Sequence, residues 1–168
     1  MFPPKVRLVL ILFCIVFGVS LLIKGDRLGF LPLVAAAMFG YGYWRYGTVM
    51  RAFRALRGGE TSRAAELLEQ IADPSRLDAG NRAYYNLIKG AFALDRGDLD
   101  GAEKFLEAAP PDQVRTSNDR GIIAWYRARV ALEKGDQATA QAHLHQARQE
   151  PHKEEVDKLI ADLEKKIG

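Results

Sequence analysis

The chain has 168 residues, a formal net charge of +3 and one cysteine, Cys14. That length fits one domain of ordinary size with a short appendage, and a lone cysteine excludes an intrachain disulfide. The positive balance does not make a nucleic-acid surface: from Arg45 to Gly168 there are 20 Lys/Arg against 20 Asp/Glu, and the excess sits on Lys5, Arg7, Lys24 and Arg27 around two apolar runs.

The first run, Leu8 to Ile23, carries no charge. As a helix it covers about 24 Å, short of a bilayer core of about 30 Å, with Arg7 and Lys24 placed to snorkel at its ends. A cleaved leader is the rival reading, with Gly18 and Ser20 as small residues, but Leu21, Leu22 and Ile23 carry the run past them. Cys14 is small apolar filler here. The second run, Leu28 to Trp44, is also uncharged; Tyr41, Tyr43, Trp44 and Tyr46 cluster at its far end as an interfacial aromatic belt would. Ala36 and Gly40 share one face, on which the first helix can approach closely.

Only Lys24, Gly25, Asp26 and Arg27 part the two runs, so helices there must be antiparallel. The expectation is a transmembrane hairpin over residues 1–46, with the lipid bilayer as one partner. The positive-inside rule then puts the N-terminus and all that follows in the cytoplasm. An Ala-, Arg- and Leu-rich composition points to a bacterial inner membrane. Arg45, Arg51, Arg54 and Arg57 recur near every third residue beyond the hairpin, either setting topology or meeting anionic headgroups.

From Gly58 a pattern repeats three times. Gly59, Gly97 and Gly135 are 38 apart, each followed by an acid: Glu60, Asp98 and Asp136. Ala64, Ala102 and Ala140 keep the same spacing, as do Leu68, Leu106 and Leu144. A fixed period of this size marks a stacked helical array. The glycine closes one helix, the acid starts the next, the alanine allows a close crossing, and the leucine one turn on shares its face. One helix pair cannot cover its own apolar face, whereas stacked pairs can. The predicted fold class is all-α: the hairpin, three helix pairs over residues 47–151 (near 47–79, 83–116 and 121–151), and a terminal helix over 152–168. Val156, Leu159, Ile160, Leu163 and Ile167 form its apolar stripe, suited to capping the last pair or, in a sharper reading, to holding a partner.

The pattern resembles the tetratricopeptide repeat family. The resemblance rests on the Gly-acid turn, the small residue and the bulky apolar residue in all three units, with Ala109 and Ala147 as the closing small residues of the second and third and Ile71 in that place in the first. Gly90 matches the family's glycine in the first helix of a unit; Ala52 and Ala128 stand there in the other two. The period departs from the family's usual 34, so the extra residues lengthen first helices or the linkers between units. The resemblance implies binding of a protein partner along a concave face lined by first helices. Tyr84, Tyr85, Phe92, Trp125 and Tyr126 are the aromatic candidates for that surface, Tyr84 and Trp125 foremost.

Nothing in the sequence argues for chemistry. His143 and His145 are two apart on a predicted helix and face different ways; with His152 they read as exposed structural histidines, and no cysteine is near to complete a metal site. Asp95, Asp98 and Asp100 sit where helix capping explains them. Gly40-Tyr41-Gly42-Tyr43-Trp44 lacks the lysine and following helix of a phosphate loop. The chain is therefore expected to be no enzyme, to need no cofactor or metal, and to serve as a membrane-anchored adaptor or assembly factor. The alternative is an accessory subunit of a larger membrane complex, recognised through its hairpin.

Overall fold

The computed structural model describes the backbone of residues 4–46 and 48–167 and the side chains of residues 9–41 and 48–167. The expectations for Lys5, Arg7, Arg45, Gly42, Tyr43, Trp44, Tyr46 and Gly47 lie outside these described side chains. Among the described residues every regular element is a helix, with no strand, and the chain divides after Gly47 into two compact units.

The first unit is a hairpin of α1 (Pro4–Ile23) and α2 (Phe30–Tyr46), joined by a 3-10 turn over Arg27–Gly29. Asp26 starts that turn by accepting the Leu28 N–H at 2.9 Å. The close approach of the two arms is at Gly18 and Gly29, where a Cβ added to Gly29 would stand 2.6 Å from the Gly18 carbonyl oxygen. Ala36 is buried, but a Cβ on Gly40 would meet nothing, so Gly40 is not the contact expected of it. Leu12, Phe13, Val16, Ile23, Leu31 and Met38 point outward and are exposed.

The membrane expectation is corrected here. No helix among the described residues is long and apolar enough to cross a membrane. The reason is reach: the uncharged part of α1 covers about 24 Å and the 17 residues of α2 about 26 Å, against a core of about 30 Å. The transmembrane hairpin, the bacterial inner-membrane location and the cytoplasmic placement inferred from it lose their basis together.

The second unit stacks three helix pairs: α3 (Val49–Arg57) with α4 (Thr61–Glu69), α5 (Ala79–Asp95) with α6 (Leu99–Glu107), and α7 (Ser117–Glu133) with α8 (Gln137–Gln149). A last helix, α9 (Glu154–Ile167), packs on α7 and α8. The three intra-pair turns are copies. Gly59, Gly97 and Gly135 have φ of 77°, 77° and 85°, a left-handed backbone that only glycine adopts cheaply. The acid after each glycine donates its N–H five residues back, to the carbonyls of Ala55, Ala93 and Ala131, at 2.8, 2.9 and 2.9 Å, which closes the first helix as a Schellman cap. Asp98 and Asp136 also cap the next helix through their side chains, accepting from Gly101 N and Thr139 N. Glu60, one methylene longer, makes no such bond.

Between pairs, a 3-10 turn opens each linker, at Pro74–Arg76 and at Pro111–Gln113. Asp78 and Thr116, 38 apart, then cap α5 and α7 by accepting from Asn81 N and Asp119 N. These caps start the long helices at Ala79 and Ser117, four residues ahead of the starts expected at 83 and 121. The longer period thus goes into both the linkers and the first helices.

The core runs through the whole stack. Ala64, Ala102 and Ala140 have no exposed surface, and Leu68, Leu106 and Leu144 are buried beside them. At the matching place on the first helices, a Cβ on Gly90 would come within 2.7 Å of Leu106 Cγ, whereas Ala52 and Ala128 are accommodated, fully buried. Val156, Ile160 and Leu163 bury the inner face of α9; Leu159 stays exposed.

Candidate interaction site

The five aromatic candidates fall into three groups. Tyr84 is fully buried between α3, α5 and α7. Its ring packs on Phe53 at 4.8 Å, its hydroxyl donates to Asp119 Oδ2 at 2.6 Å, and it accepts the Arg115 N–H at 2.9 Å. Burial, then the bond to Asp119, pushes its phenol above the ordinary value. The expectation that Tyr84 reaches a partner is therefore corrected: it pins one helix pair to the next. The sequence signal for its partner was slight. Asp119 lies 38 after Asn81, and both are buried polar residues on the first turn of a long helix.

Trp125 and Tyr126 form the second group, with ring centroids 4.8 Å apart, edge to face. Trp125 is half-buried and its indole Nε1 donates to the Leu159 carbonyl at 2.9 Å, so α9 already engages it. Arg129 lies 5.9 Å from the Trp125 ring centroid and bridges to Glu133 at 3.1 Å and Asp95 at 3.5 Å. Burial, with Asp95 nearby, pushes the Tyr126 phenol up to about 12. At the rim Arg57 of α3 meets Glu155 of α9 at 3.0 Å, joining the first pair of the stack to its last helix.

Tyr85 and Phe92 form the third group, on the outer face of α5, both half-buried. The Lys89 ammonium lies 5.8 Å from the Tyr85 ring centroid, near enough for cation–π attraction. Partial burial raises the Tyr85 phenol.

Two concavities lie elsewhere. One of about 320 Å³ opens between α6, α7 and α8, lined among others by Glu103, Glu107, Arg127, Thr139 and His143. Arg127 Nη2 donates to the Leu106 carbonyl at 2.9 Å and the Ala109 carbonyl at 3.3 Å, tying α7 to the end of α6. Burial lowers the His143 imidazole below its usual range. The second, of about 340 Å³, is a groove between α8 and α9 with Leu144, His145 and Ile167 in its walls and the Arg148–Glu164 pair at its edge. The histidines are not all exposed, as the sequence had suggested: His143 is half-buried, and His152, whose ring contacts the Glu150 carbonyl and Asp157 Oδ1, has a side chain only 8% exposed. Among the described residues no three His, Cys, Asp or Glu side chains are grouped to hold a metal.

Set against protein-family models, curated proteins and solved structures, the chain matches none of them.

Proposed function

We propose that the chain is a protein-interaction module, an adaptor or assembly factor whose tetratricopeptide-like helix pairs present side chains to a protein partner. The observation that carries this reading is the repetition itself: three copies of one glycine-acid turn, with the alanine and leucine behind it, joined into one continuous core. Stacked pairs of this kind make a long, rigid surface from a short chain. Their faces vary while the turns and crossings stay constant. Tyr85, Phe92, Trp125 and Tyr126 remain the aromatic residues with surface to offer; Tyr84 is spent inside.

A second reading has its own support. The hairpin carries apolar side chains on its outer surface, among them Leu12, Phe13, Val16 and Leu31. An exposed apolar patch of that extent marks a contact surface, so the chain can instead be an accessory subunit recognised through the hairpin. Crosslinked capture from cell extract, run with the full chain and with residues 48–168, separates the two. The same specific partner on both supports the helix-pair module; capture by the full chain alone moves recognition to the hairpin and refutes the first reading.

A further inference from the structure

The outer face of α5 carries a basic, aromatic seam. Arg82, Tyr85, Lys89, Phe92 and Arg96 are spaced three and four residues apart in alternation, the spacing at which side chains form one seam along a helix. Three cations and two aromatic rings alternate along it, with no acid. Arg82 and Arg96 are exposed and Lys89 is half-exposed. Among the described residues none of the three forms an ion pair; the one recorded contact of their charged groups is Lys89 over Tyr85.

The stack itself shows what such a seam accepts. Thirty-eight residues on, the same places on α7 hold Arg120, Ile123, Arg127, Val130 and Lys134. There the seam is covered: α6 packs on α7, and Ile123 and Val130 are buried. On α6, Asp100 and Glu103 pair with Lys134 at 2.7 and 2.8 Å, Glu107 draws Arg127, and the Leu106 carbonyl accepts from Arg127 at 2.9 Å; Arg120 pairs instead with Glu150, just past α8, at 2.8 Å. The cover is an amphipathic helix whose acids, Asp100, Glu103 and Glu107, flank Leu106. One unit earlier, α4 offers Ser62, Ala65 and Glu69 at the three acidic places. It has lost two of the three carboxylates, and α5 packs on α3 rather than on α4. The seam on α5 is thus left without the acidic helix that its counterpart has.

We propose that the α5 seam is a docking site for an acidic amphipathic helix of a partner protein, laid along α5 much as α6 lies along α7. This rests on the interaction-module reading and names the kind of partner. Arg82, Lys89 and Arg96 are one heptad apart, about 10.5 Å of helix rise, so carboxylates one heptad apart on the incoming helix meet them in register. Tyr85 and Phe92 supply the apolar contacts between.

The test uses the full chain and a fluorescein-labelled helical peptide with glutamates at heptad spacing and leucines between them. The binding isotherm is read by anisotropy at low and physiological salt. The native chain is expected to bind the peptide and to prefer it over a scrambled peptide of equal charge. Reversing the seam (Arg82→Glu, Lys89→Glu, Arg96→Glu) is expected to weaken binding about tenfold or more, from three partly exposed ion pairs. The reversed chain should in turn bind the matching peptide with lysines for glutamates. A neutral seam (Arg82→Gln, Lys89→Gln, Arg96→Gln) guards against misfolding of the reversed one and should lie between. Equal binding of the scrambled peptide, of heparin or of anionic vesicles would overturn the proposal, since any anion would then serve. So would binding indifferent to the seam variants. The readout is independent of partner capture: peptide binding without a captured partner faults the adaptor reading, and the converse faults the seam alone.

Discussion

Replacing Tyr84 by Phe tests the inter-pair joint most directly. The ring stays, so its packing on Phe53 is kept; only the hydroxyl is lost. With it goes the 2.6 Å bond to Asp119, a carboxylate 5% exposed, and the acceptor of the Arg115 N–H. A hydrogen bond to a charged group contributes about 1.5–3 kcal/mol, and orphaning its buried partner costs in the same range. Tyr84→Phe should therefore destabilise the protein by about 2 kcal/mol. With a urea m-value of about 1–3 kcal/mol/M, the midpoint should fall by roughly 1 M. Asp119→Asn should cost less, because an amide still accepts from the phenol, and the double variant should be non-additive. Urea titrations followed by far-UV circular dichroism measure all three. A loss below about 0.5 kcal/mol for Tyr84→Phe, typical of a surface site, would refute the account of Tyr84 as a buried joint and return it to the list of partner-facing residues.

Three further outcomes are expected. Gly97→Ala places a side chain at a φ of 77° with nothing near its Cβ, so the cost is backbone alone, about 1–2 kcal/mol by urea melt; a neutral result would mean the turn is not held left-handed in solution. Trp125→Phe removes the indole bond to the Leu159 carbonyl and should speed amide exchange in α9 with little change in α5; unchanged exchange would mean that the bond does not hold α9. His143 is held below its usual value by burial. Since the folded pKa is the lower one, the unfolded chain binds more protons below about pH 6.5, and stability should fall as pH drops from there. His143→Gln should flatten that slope in melts between about pH 7.5 and 5.5; parallel slopes would show that His143 is solvated.

The fate of the individual residues shows where sequence reasoning stops. Gly97, Asp98, Ala102 and Leu106 act within one turn and one crossing, so their roles can be read from spacing along the chain. Tyr84 cannot be read that way. A tyrosine on a half-apolar helix is equally at home against solvent or in a core, and what decides is Asp119, 35 residues away, brought beside it by the stacking of α7 on α5. The α5 seam lies between these cases: its alternation of cations and rings is plain in the sequence, but that α6 covers its counterpart while α5 leans on α3 is known only once the helices are placed.

By itself the sequence determined what depends on local backbone and period: an all-helical chain, a glycine-acid turn every 38 residues, small residues where helices cross, and an apolar stripe on the last helix. The tertiary structure decided what depends on distance through space. It buried Tyr84, set Trp125 against α9, moved the close approach of the hairpin from Gly40 to Gly18 and Gly29, and left one basic, aromatic seam partly exposed, without a facing acidic helix. Helix periodicity says which residues share a face; only the packing of one helix on another says whether that face meets protein or solvent.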